Sequence, residues 1–289
     1  MSTYILYNPL AGGNNEEKIK KLAASRGAEA VNITEFSGYA EFFGGISPED
    51  DIILCGGDGT LNKFINETEG IECGNDIYYM PYGSGNDFWH DISTKDNEEP
   101  IKINDYIKDL PEVTVNGKTY RFINGVGFGI DGYCCEVGDK LKATSDKPVN
   151  YTAIAIKGLL YAYKPCGATV TVDGVAHRYK KVWIAPTMNG RYYGGGMNAA
   201  PSQDRLSEDG ALTAVLFHDS SKLKTLMVFP AIFKGEHIKS EKVVALHTGY
   251  DITVEFDEPR ALQIDGETIL GVKSYRAVSK KHAAVAETI

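Results

Sequence analysis

An α/β first half with an open, mostly parallel sheet, joined to a β-rich, β-sandwich-like second half, is the fold class that three observations predict. Short apolar segments at 4–7, 30–33, 52–55 and 77–80 alternate with helical stretches at 16–24, 38–43 and 61–68, the rhythm of parallel strands joined by helices. Two of the apolar segments run into glycine-rich turns, Gly56-Gly57-Asp58-Gly59-Thr60 and Gly83-Ser84-Gly85-Asn86-Asp87. Beyond residue 112 hairpin signals take over, with Asn116-Gly117 and Asp173-Gly174 each set between β-forming runs. A first domain over 1–110, a second over 111–271 and a C-terminal segment over 272–289 follow. Whether that last segment packs back on the first domain is left open by its Lys280-Lys281-His282-Ala283 stretch.

The first strand, 4–7, runs into the Asn8-Pro9 turn, and a helix over 16–24 follows. The strand at 52–55 ends in Gly56-Gly57-Asp58-Gly59-Thr60. Without Cβ atoms the main chain can approach a ligand closely, so successive N–H groups can converge on anionic oxygens. Thr60 suits an N-cap, and a helix N-terminus adds partial positive charge. Asp58 is the unexpected member, because a bare carboxylate repels phosphate. Either a metal ion or proton-relay partner accompanies it, or it points into water. The spacing is neither G-x-x-x-x-G-K-[ST] nor G-x-G-x-x-G. The second glycine turn follows a strand at 77–79 and precedes another helix.

In the second half, 113–120 reads as one hairpin, and 169–172 with 175–184 as another. Further strands fall at 212–217, 243–246, 252–256 and 261–264. The run Gly125-Val126-Gly127-Phe128-Gly129-Ile130-Asp131 lies in the β-rich half and reads as a conformational kink rather than a dinucleotide fingerprint. Segments 151–163 and 223–233 are apolar on nearly every side, the pattern of a buried helix. The first could instead line a channel for acyl chains; both are too short to span a bilayer.

Composition limits the function classes. With 43% hydrophobic residues in 289, the chain can bury a sizeable core. No basic-plus-apolar leader and no apolar run of membrane-span length is present. The five cysteines form no CxxC pair and leave an odd one over, which fits a reducing cytoplasm. The six histidines show no zinc spacing. Residues 1–112 carry eight Lys/Arg against 21 Asp/Glu, and residues 113–289 carry 22 against 18, so the halves suit different partners. Residues 138–191 are more basic still, with nine Lys/Arg against three Asp. Such a segment suits either an anionic membrane surface, at up to about 1 kcal/mol per nearby cation, or plain solvent. A net charge of −9 without a basic aromatic stripe makes nucleic acid a poor partner.

Taken together, the two glycine turns, Asn8-Pro9 after the first strand and Asp265-Gly266-Glu267 near the end resemble the diacylglycerol kinase catalytic superfamily. Within it the chain is most similar to the small soluble bacterial lipid kinases, with sphingosine kinases and, more distantly, NAD kinases as relatives. The resemblance implies transfer of the γ-phosphate of ATP to a lipid hydroxyl, such as that of diacylglycerol, in a cleft between the domains. ATP contacts would fall on Asn8, Pro9, Gly12, Thr34, Gly56, Gly57, Asp58, Gly59, Thr60, Ser84, Gly85 and Asn86. Asp265 and Glu267 match the acidic pair at the reacting hydroxyl, one of them the general base, and Asp58 would join the Mg2+ and water network.

Gly194-Gly195-Gly196-Met197, Pro201 and Asp209-Gly210-Ala211-Leu212 match the stretch that holds a structural Mg2+ in similar kinases, here through Asp209 and the carbonyls of Leu206 and Ala211. The loop at 202–208 is about two residues longer than that pattern, so Asp204 and Glu208 compete as ligands. The first loop lacks the family's basic residue, whose phosphate contact is missing here or supplied by Lys18 or Lys63. The implied partners are ATP, Mg2+ and a lipid presented at a membrane surface to a cytoplasmic, peripherally bound protein, with a homodimer among the options. An NAD kinase-like phosphotransferase and a non-catalytic nucleotide- or lipid-binding regulator are the alternatives.

Overall fold

The computed structural model describes residues 1–9, 15–83, 86–94, 99–144, 149, 151–158, 161 and 163–282, and the chain divides into two units, Met1–Lys108 and Asp109–Ile289. In the first unit β1 (Thr3–Tyr7), α1 (Glu16–Arg26), β2 (Glu29–Asn32), α2 (Tyr39–Gly44), β3 (Asp51–Gly56), α3 (Asp58–Glu67), β4 (Ile77–Pro81), α4 (Asp87–Ile92), β5 (Ile101–Lys102) and α5 (Asn104–Ile107) follow in order. The strands lie in the order β2-β1-β3-β4-β5, parallel through β4, with β5 antiparallel at the edge. Ile19 and Ala23 of α1, one turn apart, pack against Ile5, Ile53 and Cys55, as an i, i+4 apolar pair facing a sheet should.

Register positions the candidate site. Tyr7 pairs with Cys55 and Cys55 with Met80, so the loops after β1, β3 and β4 leave one edge of the sheet, outside the strand carboxyl ends. The helix expected from residue 61 starts three residues earlier, at Asp58, and its N-cap is Gly57, not Thr60. Packing explains the difference: Thr60 is buried against Gly56, where an added Cβ would lie 2.4 Å from that of Thr60. Its side chain therefore fills the turn instead of capping the helix.

The second unit contains β6 (Glu112–Val115), β7 (Lys118–Arg121), β8 (Gly125–Gly129), α6 (Ile130–Lys142), α7 (Tyr151–Lys157), β9 (Cys166–Val172), β10 (Val175–Met188), β11 (Tyr192–Tyr193), β12 (Met197–Asn198), β13 (Leu212–His218), α8 (Lys222–Val228), two 3-10 helices (Phe229–Lys234 and Glu236–Lys239), β14 (Val244–Gly249), β15 (Asp251–Ile264) and β16 (Glu267–Val278). Its main sheet runs β14-β13-β10-β8-β15-β16-β6-β7, and β9 bridges β10 and β15. The long strands β10 and β15 pair with β9 along their first halves and with β8 along their second, and their register shifts between the two partners. One core holds Val126 and Phe128 of β8, Val170 of β9, Val254 and Phe256 of β15 and Tyr275 of β16. A second packs Ile154 and Ala155 of α7 with Trp183, Phe217, Phe229 and Ile232.

Three expectations change here. The run 125–131 is not a kink but a complete strand, β8, leading directly into α6. The boundary at residue 272 falls inside β16, because Val272, Tyr275 and Ala277 point into the core while Lys273, Ser274 and Arg276 face out. The 223–233 segment is not buried on all sides: Leu223 and Met227 are 69% and 67% exposed. Among the described residues no helix is long and apolar enough to cross a membrane. All five cysteines are free.

A histidine cluster lies on β10, β13 and β14. The rings of His177 and His247 stack at 3.9 Å, and the Tyr179 hydroxyl lies 2.5 Å from His247 Nε2. Tyr179 also packs on His218, which neighbours Asp219 at 3.5 Å. Burial, and then the charges of His177 and His218, push the His247 pKa below the ordinary histidine value.

Candidate active site

In the first unit the two glycine turns are joined backbone to backbone. A Cβ on Gly83 would lie 2.3 Å from Gly57 Cα, closer than any side chain tolerates. The Tyr82 N–H and the Tyr79 hydroxyl both donate to the Gly56 carbonyl, at 2.8 and 3.0 Å. Asp58, 8% exposed, accepts the N–H groups of Asp87 and Phe88 at 2.8 and 3.1 Å. Its carboxylate thus caps α4 and ties the first turn to the helix after the second. This accounts for a carboxylate in a phosphate-type turn: its charge is held by backbone donors. Meanwhile, among the described residues, no side chain caps α3, whose positive end opens at Gly57.

The remaining expected nucleotide contacts sit around these turns. Asn86 donates to the Gly83 carbonyl at 2.8 Å, and its Oδ1 is a buried acceptor without a hydrogen-bond partner among the described residues. Asn15, at the start of α1, donates to the Tyr82 carbonyl at 2.8 Å. Asn8 and Pro9 follow β1 directly, and Gly59 is exposed in the first turn of α3. Thr34 is exposed past the end of β2, with its N–H and hydroxyl donating to Asn32 Oδ1 at 3.0 and 2.8 Å. Gly12, Ser84 and Gly85 lie outside the described residues.

In the second unit Asp265 and Gly266 form the two-residue turn between β15 and β16, with φ of 47° and 94°. The Asp265 carboxylate is 9% exposed and accepts the N–H groups of Ile123, Asn124 and Gly125 at 2.7, 2.8 and 3.0 Å. Bonds of this kind stabilise the ionised carboxylate and fix it in place. Glu267, two residues on, is exposed, and its carboxylate makes no hydrogen bond or ion pair among the described residues. The two members of the acidic pair therefore differ sharply. One is clamped, and the other is available to a substrate.

Sequence reasoning missed the support for this clamp. Arg205 donates to the Ile123 carbonyl and, at 2.6 Å, to Asn124 Oδ1. The Asn189 side chain donates to the Ile123 carbonyl at 3.0 Å, and the Asn189 and Gly190 N–H groups reach the Asn124 carbonyl at 2.9 and 3.1 Å. The available signal was the pair of Asn-Gly steps at 124–125 and 189–190. A cavity of about 420 Å3 lies along the same hairpin, lined by Tyr133, Glu136, Tyr163, Arg260 and Leu270 among others.

In the loop matched to a structural Mg2+, two of the three expected ligands already have partners within the protein. The Ala211 carbonyl already accepts the Gln203 amide at 2.6 Å, and Asp209 Oδ1 accepts the Ala211 N–H at 3.2 Å. That N–H first, and the Ser207 hydroxyl next, hold the Asp209 carboxyl below the usual carboxylate range. Asp204 Oδ1 takes the Leu206 N–H at 2.9 Å. The cation at the loop is Lys281, whose Nζ donates to the carbonyls of Ser207 and Arg205 at 3.0 and 3.5 Å. Among the described residues no group of three or more His, Cys, Asp or Glu is arranged to hold a metal ion.

Comparison with known proteins agrees with this division. Residues 2–115 match the diacylglycerol kinase catalytic domain, and residues 124–279 match the YegS C-terminal NAD kinase beta sandwich-like domain. The Bacillus subtilis protein YtlR is 24% identical over 305 residues, covering 96% of each chain. A diacylglycerol kinase of the same organism is 24% identical and covers 91% of this chain and 88% of its own. The crystal structure of a diacylglycerol kinase from Bacillus anthracis superposes with a TM-score of 0.65 at 21% identity, covering 97% of this chain and 95% of that one. With a catalytic domain followed by a YegS-type domain, matched in order over almost the whole chain, this protein belongs to the diacylglycerol kinase family of lipid kinases.

Proposed function

We propose that the chain transfers the γ-phosphate of ATP to the hydroxyl of a membrane lipid of the diacylglycerol class, with Glu267 as the general base. ATP, carried as its magnesium complex, lays its phosphates against the joined glycine turns and the uncapped start of α3, with Asn8, Pro9, Gly12, Thr34, Ser84, Gly85 and Asn86 around it. Asp58 works by holding the two turns together through α4. Glu267 takes the proton as the lipid oxygen forms its bond to phosphorus and ADP leaves. Asp265 positions that hairpin. Phosphoryl transfer asks mainly for in-line placement and neutralisation of charge, so rigid supports of this kind suit the reaction. The cavity beside Tyr133 and Leu270 is a candidate seat for part of the lipid.

The observation that carries the assignment of roles is the contrast between the two carboxylates. Asp265 is buried under three N–H donors, while Glu267 is exposed and unpaired among the described residues. A base must reach the hydroxyl it deprotonates, and of these two Glu267 is the one with an open carboxylate. Incubating the protein with γ-labelled ATP, magnesium and diacylglycerol, phosphatidylglycerol, sphingosine or undecaprenol in detergent micelles tests the activity. Label is expected in the organic phase. Label in NADP when NAD is the acceptor would favour an NAD kinase instead, and ATP binding without turnover on any acceptor would favour a regulator.

A further inference from the structure

We propose that the helical segment from Lys222 to Lys234 is the surface by which this kinase docks on an anionic lipid bilayer. The inference takes its partner class from the lipid kinase reading, and none of the residues it uses is among those assigned to the reaction. Leu223 and Met227, four residues apart on α8, share one side of that helix and are 69% and 67% exposed. Pro230 continues the same stripe into the following 3-10 helix and is exposed, and Phe233 is 37% exposed beyond it. On the opposite side Thr225, Phe229 and Ile232 are buried and anchor the segment to the second core. The outward stripe is therefore a fixed feature, not a frayed end.

Charge selects the occupant. From Ser220 to Gly235 the chain has three lysines, Lys222, Lys224 and Lys234, all exposed, and no carboxylate. Lys180 and Lys181 are exposed next to the start of α8, since their N–H groups both bind Asp219 Oδ1 at 2.9 Å. Asp219 sits at that edge, and Glu236 just beyond the far end pairs with Lys239. A protein of net charge −9 thus presents lysines on both flanks of an apolar stripe. Apolar side chains set between lysines match the bilayer interface, where the former enter the acyl boundary and the latter meet anionic headgroups. A second copy of this chain would instead bring the same lysines face to face.

Co-sedimentation with vesicles tests the proposal, using phosphatidylcholine alone and phosphatidylcholine with about one third phosphatidylglycerol. The wild-type protein is expected to bind the anionic vesicles more tightly and to release them as salt rises. Leu223→Glu/Met227→Glu should weaken that binding about ten-fold or more, while Lys222→Glu/Lys224→Glu should abolish the preference for phosphatidylglycerol. Both pairs are exposed, and an unchanged unfolding midpoint checks that they fold. Wild-type affinity in the Leu223/Met227 variant, no vesicle binding by the wild type, or a variant that alters only the oligomeric state would each overturn the docking surface. Sedimentation needs no turnover, so it decides the matter even where no label reaches a lipid, a result that would count against the kinase assignment alone. With dispersed short-chain diacylglycerol both variants should retain wild-type rates, and losses should appear only on vesicles.

Discussion

Replacing Asp265 by Asn and Glu267 by Gln should separate positioning from proton transfer. In Asp265→Asn one carboxylate oxygen survives as an acceptor, and the other becomes an amide that presents hydrogens where an N–H already points. If the retained oxygen keeps Asn124 and Gly125, bound at 2.8 and 3.0 Å, the Ile123 N–H at 2.7 Å loses its partner. A hydrogen bond to a buried charge is worth about 1.5–3 kcal/mol, and a stranded donor adds a cost of similar size. Some repacking will recover part of this, so a loss of about 3 kcal/mol is expected. Glu267→Gln alters an exposed group with no partner among the described residues, so its stability should stay within about 0.5 kcal/mol of wild type. Its transfer rate should fall about 10²–10⁴-fold. Calorimetric unfolding, read for each unit separately, and label transfer to diacylglycerol measure the two effects. A stable Asp265→Asn protein would refute the clamp, and a wild-type rate in Glu267→Gln would remove Glu267 from the mechanism.

Further outcomes follow from other contacts. Asp58→Asn should cost about 1–2 kcal/mol through the lost cap on α4 and raise KM for ATP more than it lowers kcat; a wild-type KM would show that the turns hold together without it. Because the folded-state pKa of His247 lies below its unfolded value, near 6.5, its neutral form is favoured on folding. That contribution is fully present above about pH 6.5 and is lost as the pH falls from there through the lower folded pKa. The midpoint of the second unit should therefore drop between pH 7.5 and 5.5, and less so in His247→Gln, with equal drops in both proteins refuting the assignment. EDTA, without nucleotide, should leave the wild-type unfolding midpoint unchanged, whereas Lys281→Met should lower it by about 1 kcal/mol equivalent. Destabilisation by EDTA that Mg2+ reverses would show a structural metal after all.

How much could be read beforehand depended on the reach of the interaction. The strands at residues 4–7, 52–55 and 77–80 were legible because apolar runs ending in glycine carry a local signature. So was the place of the two glycine turns beyond β3 and β4. The role of Asp58 was not, since it depends on the N–H groups of residues 87 and 88, which sequence spacing cannot place. Asp265 raised the same difficulty on a larger scale, with partners 140 to 142 positions earlier. β16 escaped notice because Gly271, at φ 69°, interrupts its alternation beside a register shift in β15. α6 was obscured by the glycines that precede it. The 223–233 segment misled for a different reason: apolarity on every side signals burial only when there is something to cover every side.

The order of the strands in the second unit bears on how the chain comes to be folded during synthesis. β6, the first strand of that unit, hydrogen-bonds to β16, the last, with Val113 opposite Ala277 and Thr114 opposite Arg276. The first unit needs nothing after residue 108 to complete its sheet. It can fold while the ribosome is still at work, but β6 must wait for more than half the chain to emerge. During that interval the edge of β6 that will pair with β16 stands open to wrong partners. A chain cut short before β16 would keep the first unit's sheet whole and leave this seam unclosed, making such truncations prone to aggregate rather than merely inactive.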